Sequence, residues 1–141
     1  MSNQEKADKI VRQLMFEKDA FSQWMGIQII EIKPGYCRLL AVIRPDMLNG
    51  FSICHGGVTF SIADSAFAFA SNSHGIQSVS IETSISHTKR VNAGDSIIAE
   101  AIEKSLTEKL GIYEVVLKNQ QNDVVALFKG TVFRTGRNWE I

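Results

Sequence analysis

One carboxylate stands alone in an otherwise uncharged stretch. Residues 49–72 read Asn49-Gly-Phe-Ser-Ile-Cys-His55-Gly-Gly-Val-Thr-Phe-Ser-Ile-Ala-Asp64-Ser-Ala-Phe-Ala-Phe-Ala-Ser-Asn72, and Asp64 is their single charge. A carboxylate so placed can act as a nucleophile or as a general base. Leaving it among apolar side chains costs several kcal/mol unless it is paired or hydrogen-bonded. The plainer reading is an Asp at a solvent-facing edge, or one bonded only to Ser61 or Ser65. Ahead of it, Gly56-Gly57 opens the apolar run. Glycines there let a ligand approach the backbone, and the free N–H groups of a first helical turn carry the positive end of the helix dipole. The plainer reading of the pair is room for tight packing against neighbouring structure.

The element carrying these residues reads as a helix over residues 56–72. It has no Pro, and Val58, Phe60, Ile62, Ala63, Ala66, Phe67, Phe69 and Ala70 fall on more than one side at 3.6 residues per turn. That pattern predicts burial nearly all round, and the run is too short to span a bilayer. Upstream, residues 4–24 place Ile10, Val11, Leu14, Met15, Phe21 and Trp24 at spacings of three and four, an amphipathic helix with a break near Asp19. Gly26 changes the period, and Pro34-Gly35 sets a turn between a strand near 27–32 and a second over 36–43. After Asn72-Ser-His-Gly75 the chain is β-like to its end, with strands expected over 78–89, 96–106, 110–120 and 124–135. One helix among six antiparallel strands predicts an α+β domain, residues 1–141, in which a curved sheet wraps the central helix.

Fifteen basic residues balance fifteen acidic ones, so no overall field favours nucleic acid or an anionic membrane. No segment reads as a DNA-binding element. Cys37 and Cys54 are too few for a disulfide framework or a metal site. Met1–Asp19 is charged and lacks an apolar leader core, which points to a cytoplasmic, reducing location. Cys54 beside His55 is read as packing rather than a dyad, and His74 and His87 as structural.

Asn49-x5-His55-Gly56-Gly57-x6-Asp64 on such a helix resembles the hotdog-fold acyl-CoA thioesterases, most closely the phenylacetate-degradation (PaaI-type) branch. The resemblance extends through Ser78-Val-Ser-Ile-Glu82, Asn92-Ala-Gly-Asp95 and Val125-Ala-Leu-Phe-Lys-Gly130, about residues 20–135. It implies dimers with paired sheets, usually dimers of dimers, a coenzyme A thioester as substrate, and no metal or organic cofactor. Thioester hydrolysis develops an oxyanion that needs preorganised N–H donors, and it needs a nucleophile. The resemblance assigns the main donor to the Gly56 N–H, beside Gly57, and the nucleophile or base to Asp64. It implies that Asn49 and His55 place the thioester or the attacking water and that Ser80 orients that water. For His55 a purely structural part stays open, and for Ser80 a plain strand position. Phe51 and Phe60, with Phe67 and the N-terminal helix, are candidates for the acyl pocket, which suits an aryl-acetyl group such as a hydroxylated phenylacetyl. Lys89 and Arg90, or Arg134 and Arg137, could meet the phosphates of coenzyme A.

One consequence follows from helix geometry alone. Gly56 and Asp64 are eight positions apart, about 12 Å of rise. A carbonyl held at the Gly56 N–H cannot be attacked from Asp64 of the same helix, since reacting atoms must come within about 3–3.5 Å. Two antiparallel helices across a dyad would bring the glycine end of one chain beside the carboxylate of the other, twice per dimer. Two other readings of the same residues are a 3-hydroxyacyl thioester hydratase or dehydratase using His55 and Asp64, and a non-catalytic acyl-CoA-binding module. Against the second stands Asp64, a buried charge that pure binding does not need.

Overall fold

The computed structural model describes all residues from Met1 to Ile141. The N-terminal helical segment begins as α1 (Asn3–Lys9), capped by Ser2 and Glu5 in a reciprocal capping box. It continues through a π-helical stretch, Ile10–Met15, and a 3₁₀ turn, Phe16–Lys18. The expected break falls at Asp19, whose backbone leaves helical geometry and whose carboxylate caps α2 (Ala20–Trp24) by accepting from the Ser22 N–H. Next come β1 (Gln28–Lys33) and β2 (Tyr36–Val42), joined at Pro34-Gly35 with Gly35 at φ +75°. A 3₁₀ turn, Pro45–Met47, leads to the long helix α3 (Gly56–Asn72), then β3 (Ile76–His87), β4 (Ser96–Leu106), β5 (Leu110–Lys118) and β6 (Val124–Asn138).

The strands form one sheet in the order β1-β2-β4-β5-β6-β3, every pair antiparallel. Helix α3 lies against five of the six strands, so the sheet curls around it. Its core side is built from Ile62, Ala63, Ala66, Phe67, Phe69 and Ala70, all buried. The Phe67 ring is aimed at Gly130 on β6, where a methyl group would stand 2.6 Å from the ring tip. Only glycine fits that crossing. Burying one such ring contributes about 1.5–3 kcal/mol.

Burial all round, expected from the apolar pattern, is not what α3 shows. Gly57 is exposed, and Ser61, Asp64, Ser65 and Ala68 are only half-buried. At spacings of four, three and four, Gly57, Ser61, Asp64 and Ala68 make one stripe of small residues around a single acid. Hydropathy misses that stripe because Ala and Gly suit a core and a thinly covered face equally well.

At the far side of the sheet β3 is an edge, paired on one side only with β6. It is twelve residues long, with a register shift between Ser80 and Glu82 and with Val79 and Ile81 more than half exposed. No helix of the chain is long and apolar enough to cross a membrane.

Candidate active site

The loop before α3 is held by Asn49. Its side-chain oxygen accepts from the N–H of Phe51 (2.9 Å) and of Ile53 (3.4 Å), and its backbone N–H donates to the Ile53 carbonyl (2.8 Å). That leaves the Asn49 side-chain NH₂ as the group free to meet a ligand. His55 N–H donates to Met47 O (2.9 Å), and the His55 Nδ1 accepts from the Gly57 N–H (2.8 Å), capping the helix. In the neutral ring the proton then sits on Nε2. With Gly57 served by His55, the Gly56 N–H is the open donor at the helix mouth, without an acceptor in the chain. His55 thus serves the loop structurally and, by occupying Gly57, leaves Gly56 as the amide a ligand oxygen can use.

Asp64 is half-buried, and no hydrogen bond or ion pair of the chain engages it. Both neighbouring serines are committed elsewhere: Ser61 donates to the Gly57 carbonyl (2.7 Å), and Ser65 shares a 2.8 Å hydrogen bond with Ser22 of α2. Burial pushes the Asp64 carboxyl above its usual range, and the negative charge of Asp19 adds to the rise. The carboxylate is therefore half-buried, uncompensated within one chain, and set on the small-residue stripe.

A groove of about 410 Å³ opens at the glycine end of α3. Asn49, Gly56, Lys89 and Arg90 line it together with Thr59 and His87. Lys89 is tied to Asp123 at 2.5 Å, holding that carboxyl below its usual range, whereas Arg90 makes no ion pair. Other expected participants are not gathered there. Phe51 projects into solvent, 86% exposed. Phe60 packs edge-on against Phe128, and Phe67 is a core residue. Ser80 lies on β3 opposite Val132, on the helix-facing side, with no side-chain hydrogen bond of its own. Arg134 donates to the Thr107 carbonyl at 2.7 Å, away from the groove.

Of the histidines read as structural, His74 pairs with Glu103 at 2.7 Å, but His87 stands in the groove. Nothing in its sequence spacing marks it; only the pairing of β3 with β6, which sets His87 opposite Ala126, brings it to the helix mouth. Cys54 is buried, and burial pushes its thiol up to about 11, in keeping with a packing role. No cluster of three or more His, Cys, Asp or Glu side chains is close enough to hold a metal ion.

Comparison with known proteins gives a consistent family signal. The profile described as the thioesterase superfamily matches residues 51–126. Over 122 residues the chain is 38% identical to the acyl-coenzyme A thioesterase PaaI of Escherichia coli (strain K12), spanning 86% of this chain and 87% of that protein. The solved structure of the E. coli PaaI protein from the phenylacetic acid degradation operon superposes with a TM-score of 0.93 at 36% identity, covering 97% of this chain and 99% of that one. A mutant of the phenylacetic acid degradation protein PaaI from Thermus thermophilus superposes with a TM-score of 0.80 at 34% identity, covering 82% and 99%.

Proposed function

The chain belongs to the thioesterase superfamily and has the hotdog fold of its relatives, and on that premise we propose that it hydrolyses a coenzyme A thioester at a site shared between two copies. One observation carries the reading: the open donor at Gly56 and the unpartnered carboxylate of Asp64 share one helix at a separation of eight residues, about 12 Å. Neither can finish a thioesterase site within its own chain. An antiparallel second helix places each beside its complement.

In the proposed reaction the thioester oxygen accepts the Gly56 N–H, and that donor strengthens as negative charge develops on the oxygen. Asp64 of the second copy acts at the carbonyl carbon, by adding to it or by taking a proton from the water that adds. The C–S bond then breaks and coenzyme A leaves as its thiolate; where Asp64 has added, water then cleaves the resulting anhydride, releasing the free acid and restoring the carboxylate. The Asn49 NH₂ borders the groove and serves to orient the thioester or the water. Ser80, on the helix-facing side of the edge strand, is proposed for the water as well. Arg90, with Lys89 more tightly tied, offers charge to the polyanionic end of coenzyme A. The reading draws on no metal or organic cofactor, since both reacting groups come from the protein.

For the acyl end we favour an aryl-acetyl group. Two relatives named for phenylacetic acid degradation support it, and so does α2. That helix meets α3 at Ser22–Ser65, one residue from Asp64, and it presents Phe21 and Trp24 stacked at 5.9 Å and about half exposed. The assay is thiol release from aryl and aliphatic acyl-CoAs. Turnover of an aryl-acetyl-CoA that disappears in Asp64→Asn is the expected result; binding without thiol release from any acyl-CoA would make the chain a binding module.

A further inference from the structure

We propose that His87 supplies a second hydrogen bond to the thioester oxygen, beside the Gly56 N–H; this rests on the assignment of Gly56 as oxyanion donor. The His87 ring stands over Gly56: its Nε2 lies 3.2 Å, and its Cε1 3.5 Å, from the point a Gly56 Cβ would occupy. A residue's Cβ is about 2.5 Å from its own backbone nitrogen. The Nε2 is therefore within about 5.7 Å of the Gly56 nitrogen, the 3.2 Å added to that 2.5 Å. Two donors closer than about 5.8 Å can share one oxygen at about 2.9 Å from each. The separation thus lies within reach of one shared oxygen, and the same two residues line the groove.

The ring is aimed by Thr59. The buried Thr59 hydroxyl donates to the Gly56 carbonyl (3.1 Å), and its oxygen lies 3.3 Å from His87 Nδ1. That carbonyl, at the first helical position, is already matched by the amide four residues on. Because the carbonyl keeps that amide, the hydroxyl proton can turn from it to Nδ1, and in that arrangement the ring proton is on Nε2, the ring atom nearest Gly56. Charge developing on the substrate oxygen favours that same tautomer. Glycine at 56 then has a second purpose, since any side chain there would crowd the imidazole.

The test uses the full-length protein and a turned-over acyl-CoA. His87→Phe keeps a ring without the donor, and His87→Gln keeps an N–H near the Nε2 position. His87 is exposed, and melting curves of both variants are expected to match the parent. His87→Phe is expected to lower kcat about 10- to 100-fold with KM within about threefold, and His87→Gln to regain most of that loss. A parent-like kcat in His87→Phe, a loss confined to KM, or a His87→Gln as slow as His87→Phe each overturns the proposal. Gly56→Pro, which removes the backbone N–H, is run alongside Gly56→Ala, which keeps it and adds the same Cβ beside His87. If Gly56→Pro abolishes turnover while His87→Phe does not, only the part given to His87 falls; if Gly56→Pro turns over like the parent, the oxyanion assignment itself is wrong.

Discussion

Asp64 shows how burial sets both the reactivity and the cost of a single residue. Its carboxyl is raised first by desolvation and then by Asp19, so the folded chain holds that proton to a higher pH than the unfolded chain does. The stability penalty is absent below the unfolded value, near 3.9, grows as pH rises through it, and is complete once pH passes the folded value. Asp64→Asn is therefore expected to melt at or above the parent temperature at pH 7, the advantage vanishing below about pH 3, while kcat falls by about two to four orders of magnitude. Activity needs the carboxylate, so the acid limb of kcat/KM is expected above the usual carboxylate range. Asp19→Asn, which keeps a good helix cap, should move that limb to lower pH. At Gly56 two substitutions separate shape from hydrogen bonding. Ala keeps the N–H and adds a Cβ 3.2 Å from His87, whereas Pro adds the same Cβ and removes the N–H. Pro is tolerated at a first helical position after an extended residue, and His55 is extended at φ −61°, ψ 133°. Gly56→Pro is expected to cut kcat about 10²- to 10³-fold, and Gly56→Ala much less. Asp64 stood out as a candidate by residue type, and Gly56 became one through the family resemblance of its motif. His87 and the free amide of Asn49 were not legible, because each depends on hydrogen bonds that only the folded loop and strand create.

Among the elements, α3 positions the site because its two ends meet different demands. At its N-terminus Asn49 and His55 fix the loop so that one amide stays open; farther along, Phe67 locks the helix to the sheet at Gly130. Gly130→Ala forces the ring tip or β6 to shift and is expected to cost about 1–3 kcal/mol, lowering Tm by about 3–10 °C in a calorimetric melt. The strands and turns could be read ahead: Ser96–Leu106 was placed as found, and the turn expected at Pro34-Gly35 is there, with Gly35 at a positive φ. Errors came where side-chain type is ambiguous. Gly57, Ser61 and Ala68 do not announce whether they face a core or another helix. The Ser80–Glu82 register shift leaves no clear trace in a strand of Ser, Thr and Ile.

At the scale of the molecule, an edge and a stripe point to the same partner. β3 offers a twelve-residue edge, unpaired on the side away from β6, with Val79 and Ile81 exposed, the kind of edge that proteins normally cover. The small-residue stripe of α3 leaves Asp64 uncompensated on the same chain. In the dimer proposed above, a second copy related by a dyad would cover the edge by strand pairing and the stripe by helix packing, and would complete two sites at once. None of this could be read from composition, whose zero net charge describes neither surface. The most direct measurement is complementation between two inactive variants, Asp64→Asn and Gly56→Pro, unfolded and refolded together in equal amounts. Each mixed dimer would hold one site with both lesions and one with neither, so the mixture is expected to recover about a quarter of parental thiol release while each variant alone stays inactive. A mixture that forms mixed dimers yet stays as inactive as its components would contradict a site divided between two chains.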